Sequence, residues 1–281
     1  MSIPQLTLND GHTIPQLGFG VFQVPPDQTS ETTLTAIEAG YRHIDTAQMY
    51  GNEAGVGDAV RRSGLGRDEV FITSKLNNGF HRPDDARRSF DETLSKLGMD
   101  YVDLFLIHWP LPTRYDGDFV STWQTLIEFQ GEGRARSIGV SNFHPAHLAR
   151  LAEETDVVPA VNQIEVHPYL TNESVRSASR DAGILVEAWS PIARGAVLND
   201  PVIGGIAARM ERTPAQVTLR WHIQRGDIIF PKSMNPARMK ENAALFDFTL
   251  DAIDMEAISA LDKGEEGRVG PNPDTFDWIP D

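Results

Sequence analysis

Eight short apolar runs, at residues 17–21, 43–47, 70–76, 102–109, 137–142, 160–166, 185–191 and 228–233, recur along the chain with longer amphipathic stretches between them. This alternation is the strongest constraint on the fold. Short apolar runs suit strands buried on both faces, and the segments at 30–40, 84–97, 146–154 and 213–224 space their apolar residues as helices do. Strand–helix repeats build right-handed βαβ units and a parallel sheet. Eight of them within 281 residues predict a closed (β/α)8 barrel, a TIM barrel, with the whole chain, 1–281, as one domain. The competing architecture, a doubly wound open sheet, would carry Gly-x-Gly-x-x-Gly after its first strand. Here the chain reads Gly18-Phe19-Gly20-Val21-Phe22-Gln23, without a third glycine in place.

Four segments fall outside the repeat. Residues 5–15 alternate apolar and polar side chains around Asn9-Asp10-Gly11, the pattern of a β-hairpin. Thr213-Pro214 reads as an N-cap followed by proline at the first helical position, which leaves 201–211 as an extra helix before it. A second extra helix is expected at 254–261, and the Gly/Pro/acid-rich stretch 264–281 reads as a loop. No internal repeat or low-complexity tract interrupts the pattern.

Composition narrows the function. Lys+Arg number 25 against 40 Asp+Glu, a formal net charge of −15, so a phosphate-backbone partner such as nucleic acid is not expected. The chain has no cysteine, which excludes disulfides, thiolate metal sites and cysteine nucleophiles. No leader-like segment and no membrane-length apolar stretch is seen, so a cytoplasmic protein is expected.

In a barrel of this kind, reactive groups gather at the C-terminal ends of the strands. Asp45, Lys75 and His108 lie at the ends of the second, third and fourth runs, and Tyr50 follows Asp45 in the next loop. Taken singly, Asp45 could cap a helix, Lys75 could be solvated and His108 could be a core histidine. Together they make a proton donor with its orienting group. A lysine beside a tyrosine favours phenolate and is expected to lower the phenol pKa, a carboxylate keeps that lysine charged, and a histidine can hydrogen-bond a substrate oxygen. Such a set suits carbonyl reduction, but the hydride must come from a cofactor.

The segment Gly40-Tyr41-Arg42-His43-Ile44-Asp45-Thr46-Ala47, followed by Tyr50-Gly51-Asn52-Glu53, resembles the first signature of the aldo-keto reductases. Ser137-Ile138-Gly139-Val140-Ser141-Asn142-Phe143 is similar to their middle signature, and Phe230-Pro231-Lys232-Ser233 to their phosphate-site motif. Val161-Asn162-Gln163-Ile164-Glu165 and Trp189-Ser190-Pro191 follow in the family's order. The likeness runs from the hairpin to about Phe248, and within the family it is nearest to bacterial reductases of the 2,5-diketogluconate type.

The resemblance implies a catalytic tetrad of Asp45, Tyr50, Lys75 and His108, the four residues already selected by position. It implies NADPH as cofactor and a small carbonyl compound as substrate, with Tyr50 donating the proton and neutral His108 orienting the carbonyl. Ser141, Asn142 and Gln163 would hold the nicotinamide carboxamide, Trp189 would stack on the ring, and Ser190, Pro191, Ile192 and Gly195 would approach the pyrophosphate. Lys232, Ser233 and Arg238 correspond to the clamp on the 2′-phosphate, Glu241 and Asn242 to positions that read adenine, and Gly20, Val21, Asp45 and Met234 to further cofactor contacts. Phe22, Asn77 and Trp109 join Tyr50 and His108 around the substrate. The family often has tryptophan at 22 and 77, so the small amide of Asn77 is expected to open and wet one wall. A monomer is the family's usual state.

Two other functional readings compete. Metal-dependent hydrolysis needs clustered ligands, often on the first strand, and that run has no histidine. His144 and His147 share a helix face without a third ligand and read as surface or capping residues. Some members of the family bind NADPH as regulatory subunits, but such a role has no need of a Tyr–Lys pair.

Overall fold

The computed structural model describes residues 3–280; Met1, Ser2 and Asp281 lie outside the described residues. A hairpin of β1 (Gln5–Thr7) and β2 (Thr13–Pro15) pairs Leu6 with Ile14. Eight parallel strands follow: β3 (Phe19–Gly20), β4 (His43–Asp45), β5 (Phe71–Leu76), β6 (Val102–Ile107), β7 (Ala135–Ser141), β8 (Val161–Glu165), β9 (Leu185–Trp189) and β10 (Ile228–Ile229). They pair in chain order from β3 to β10. A parallel bridge between Leu17 and Ile229 closes the ring, with Gly18 N–H donating to Ile229 O at 2.9 Å. All eight expected runs are barrel strands.

The helices are α1 (Pro26–Glu38), α2 (Glu53–Arg62), α3 (Pro83–Leu97), α4 (Val120–Gly131), α5 (Pro145–Glu154), α6 (Glu173–Asp181), α7 (Pro201–Met210), α8 (Pro214–Gln224), α9 (Pro236–Ala243) and α10 (Ala252–Ser259). α7 and α10 are the two additions to the eightfold repeat. α8 starts where its sequence says it should. Thr213 Oγ1 accepts from Gln216 N–H at 3.2 Å, and the Gln216 side chain accepts from Thr213 N–H at 3.1 Å.

Strand alternation divides the core. On β6, Leu104 and Leu106 face inward and pack with Val161, Ile228 and Phe230, while Leu8 and Ile14 of the hairpin plug the barrel floor. Phe105 and Ile107 face outward toward the helices. There Phe90 lies 4.4 Å from both Phe105 and Phe129, ring centroid to centroid. With one end of the barrel plugged by apolar side chains, polar groups converge at the other, where the strands end.

Candidate active site

The cleft at the strand C-termini encloses about 700 Å3, a size suited to a cofactor-and-substrate site. Asp45 ends β4, Lys75 is the penultimate residue of β5, and His108 directly follows β6. Tyr50 closes the 3-10 turn Gln48–Tyr50. That turn is braced by Gln48, whose Nε2 donates to Thr93 Oγ1 at 2.8 Å and whose Oε1 accepts from Asn77 N–H at 2.6 Å. Asn52 locks the next step of the chain by donating to Val21 O at 2.9 Å. Val21 thus sits behind the cleft wall with its carbonyl already engaged.

The structure brings the four tetrad candidates together. Lys75 is fully buried, and its Nζ donates to Asp45 Oδ1 and Oδ2 at 2.8 and 2.7 Å and to Thr46 O at 2.9 Å. It also reaches Tyr50 Oη at 3.5 Å. Burial, the largest single effect, opposes the ammonium charge, but Asp45, Tyr50 and Glu187 together outweigh it, and the lysine pKa rises above its ordinary value. The Tyr50 phenol is pushed up, chiefly by burial, with Lys75 pulling the other way. This corrects the sequence expectation of a lowered phenol: desolvation wins, so Tyr50 holds its proton. Burial, helped by Lys75, holds His108 well below the usual imidazole range, which makes it neutral. The Tyr50 and His108 rings meet edge to face at 5.7 Å, and Phe22 packs on Tyr50 at 5.0 Å.

The second group of candidates lies along one side of the cleft. Ser141 Oγ donates to Gln163 O at 2.8 Å; Asn142 Nδ2 donates to His108 O at 2.9 Å, and its Oδ1 accepts from Trp189 Nε1 at 2.8 Å. Asn142 and Ser190 are held at φ 64° and 51°, left-handed backbone that L-residues rarely adopt and that often marks a functional segment. Gly20, Pro191, Ile192 and Lys232 also line the cleft. Beyond this wall stand Gly195, Ser233, Met234, Arg238, Glu241 and Asn242. Ser233 Oγ accepts from Asn235 N–H at 3.1 Å, Arg238 is exposed at the start of α9, Glu241 accepts from Thr213 Oγ1 at 2.8 Å, and Asn242 is buried. Asn77 is likewise absent from the lining: its Oδ1 accepts from Gly79 N–H at 2.9 Å and caps a short turn.

Several groups around the site carried no sequence signal. The tail, apart from a 3-10 turn at Gly264–Gly267, is irregular as expected, and it folds over the cleft to add Gly270, Pro271, Phe276 and Trp278. It is pinned by buried Glu165, whose carboxylate accepts from Val269 N–H at 2.6 Å and Gly270 N–H at 3.0 Å. Gly270 must be glycine here, because a Cβ would collide with the Trp189 ring. Phe276 packs on Trp109 at 4.2 Å, and Asn78 Nδ2 donates to Trp278 O at 2.9 Å. His144 and His147 are caps, as read: His144 N–H donates to His147 Nδ1 at 3.1 Å. His144 also meets Asp274 at 2.9 Å, a second tether for the tail. His222 on α8 bonds Pro191 O at 3.0 Å and Asp227 Oδ2 at 2.9 Å, which fixes the Ser190–Ile192 corner from behind.

At the opposite barrel end a smaller cavity of about 360 Å3 holds Asp103, already engaged by Arg67 and Arg136. Among the described residues, no three His, Asp or Glu side chains are grouped to hold a metal, and no helix is long and apolar enough to cross a membrane.

A sequence model described as the Aldo/keto reductase family matches residues 16–263. An aldo-keto reductase of Mycolicibacterium smegmatis is 48% identical over 98% of both chains. The methylglyoxal reductase DkgA of Yersinia pestis is 45% identical over 97% of both. Among solved structures, a variant of Gox0644 in complex with NADPH superposes with a TM-score of 0.94 at 44% identity, covering 99% of this chain and all of that one. A buried lysine–carboxylate pair set beside a tyrosine and a neutral histidine on a closed barrel agrees with these matches, and the chain belongs to the aldo/keto reductase family.

Proposed function

We propose that this protein reduces aldehydes and ketones to alcohols with NADPH, Tyr50 donating the proton. The observation that carries the reading is the Asp45–Lys75–Tyr50–His108 cluster on the cleft floor, where a protonated phenol lies beside a buried cation and a neutral imidazole. As a substrate oxygen gains negative charge, Lys75 favours phenolate and eases the proton out of Tyr50, while His108 orients that oxygen by hydrogen bonding. NADPH supplies the hydride.

The residues suit that cofactor. Gln163 spends both N–H bonds on carboxyl groups and keeps its Oε1 free to accept from a carboxamide, with Ser141 and Asn142 alongside. Trp189 offers an aromatic face. Lys232 is an exposed cation at the rim of a chain with net charge −15, and with Ser233 and Arg238 on the same segment it suits a 2′-phosphate. Glu241, half-buried, and Asn242, buried, are the positions on α9 proposed to read adenine.

For the substrate we infer small dicarbonyls such as methylglyoxal, with keto-sugar acids of the 2,5-diketogluconate type as the wider class. The Yersinia pestis relative supports the first, and a wall of Phe22, Trp109, Phe276 and Trp278 around two polar donors suits compact substrates with several oxygens. One domain acting as a monomer in the cytoplasm completes the proposal. NADPH oxidation against a panel of methylglyoxal, 2,5-diketogluconate, aromatic aldehydes and aldoses, with NADH in parallel, tests it. Turnover of the dicarbonyls with NADPH is expected. Silence across the panel with NADPH bound would favour a regulatory subunit instead.

A further inference from the structure

Glu187 lies on β9 two residues before Trp189, and neither the tetrad nor the cleft lining includes it. Its side chain is fully buried. Oε2 accepts from Gln163 Nε2 at 2.7 Å, while Oε1 is buried without a partner. The same Gln163 nitrogen donates to Asp45 Oδ2 at 2.8 Å. One amide thus divides its two N–H bonds between two buried carboxyl groups.

The charged groups facing Glu187 are Asp45 from β4 and Lys75 from β5. Its β8 neighbour, Gln163, is neutral, and β10 sets Ile228 in register beside it. The one cation of this cluster already spends its hydrogen bonds on Asp45 and Thr46 O. An unpartnered oxygen with no cation of its own is where a proton belongs. Burial, with the charge of Asp45 second, accordingly pushes this carboxyl up to about 8.

We propose that Glu187 is a positioning residue and redox-state sensor for the nicotinamide: through Gln163 it aims the carboxamide-binding amide, and it gives up its proton when the cationic, oxidised ring is bound but keeps it when the neutral, reduced ring is bound. The proposal rests on reading Gln163 as the carboxamide contact. A positive ring near a buried carboxyl favours the carboxylate, so NADP+ lowers its proton affinity and expels a proton. By reciprocity, loss of that proton tightens NADP+. NADPH brings no ring charge and leaves the proton in place. Protons exchanged by the 2′-phosphate are common to both cofactors and cancel in the comparison.

The test is calorimetric binding of NADP+ and of NADPH to the full chain, in buffers of different ionisation enthalpy at pH 8, for wild type, Glu187→Gln and Gln163→Ala. The wild type is expected to release up to about half a proton more with NADP+ than with NADPH, and to bind NADP+ up to about tenfold tighter at pH 9 than at pH 7, with NADPH affinity level. Glu187→Gln, which still offers Gln163 an acceptor, should abolish the difference. Equal proton counts for the two cofactors in the wild type would overturn the proposal without recourse to any variant, as would a difference that survives in Glu187→Gln. Unchanged affinity for both cofactors in Gln163→Ala would overturn the reading of Gln163, independently of the proton count.

Discussion

Replacing Lys75 by methionine isolates what the buried cation does for the site. Methionine fills much of the volume of the lysine stem, so the change is mainly one of charge. The ammonium lies 2.7–2.8 Å from both oxygens of Asp45. At that separation and an effective dielectric near 20, the gross attraction is about 6 kcal/mol. The orphaned carboxyl at position 45 can instead take up a proton, which at pH 7 costs an ordinary aspartate about 4 kcal/mol. That route caps the loss, and breaking one partner of a buried pair typically removes about 3–5 kcal/mol. The expected fall in unfolding free energy is therefore about 4 kcal/mol at pH 7. Its pH dependence has a definite sign. The folded variant binds one proton more than its unfolded chain, so its deficit relative to wild type shrinks as pH falls, by about 1.4 kcal/mol per pH unit from 7 to 5. Adding Asp45→Asn should recover most of the loss, since no unpaired buried charge remains. Equilibrium guanidinium denaturation of wild type, Lys75→Met and the double variant at pH 7 and 5.5 reads all of this. A Lys75→Met loss below about 1 kcal/mol, or the same loss at both pH values, would refute the reasoning.

Tyr50→Phe should lower kcat for methylglyoxal by roughly 10²–10⁴ while leaving the NADPH Kd, read by fluorescence quenching, within a few-fold. With His108 neutral far below its ordinary pKa, the single-turnover rate should stay level as pH falls from about 7.5 to 5.5; a decline with a midpoint near the ordinary histidine value would contradict the neutral imidazole. Lys232→Ala should weaken NADPH by roughly tenfold or more and NADH hardly at all, as loss of one charge-assisted phosphate bond requires. Phe276→Ala removes a ring packed 4.2 Å from Trp109 and should raise KM for carbonyl substrates by about tenfold, with NADPH affinity unchanged.

The barrel was legible because each strand is a bounded apolar run and each βα step repeats the same period. Asp45, Lys75 and His108 were legible for a related reason: strand ends of a closed parallel barrel converge at one face, so three polar residues closing adjacent runs must meet. Local rules also placed the hairpin and the start of α8. α1 begins at Pro26, earlier than the pattern at 30–40 suggests, because proline opens that helix before its apolar face begins. The sign of the Tyr50 pKa was misread, since sequence shows the neighbouring lysine but not the burial that outweighs it. Asn77 is expected at the substrate wall, and here its Oδ1 caps a turn by accepting from Gly79 N–H, a local use of an asparagine side chain that the sequence pattern does not show. The tail was invisible in another way. It has no period, and what fixes it, Glu165, lies 104 residues away in the chain. Glu187 had no signature either: a lone glutamate inside an apolar run acquires meaning only when β4, β5 and β8 bring Asp45, Lys75 and Gln163 around it.

The central claim is tested most directly by isotope transfer. The protein is mixed with methylglyoxal and NADPH deuterated at C4 of the nicotinamide on the transferring face, established by preparing both epimers, and the product is analysed by mass spectrometry. The account predicts an alcohol carrying deuterium on the carbinol carbon from one epimer, formed by the wild type and nearly absent with Tyr50→Phe. No alcohol from either epimer, alcohol without deuterium from both, or equal product from Tyr50→Phe would contradict it.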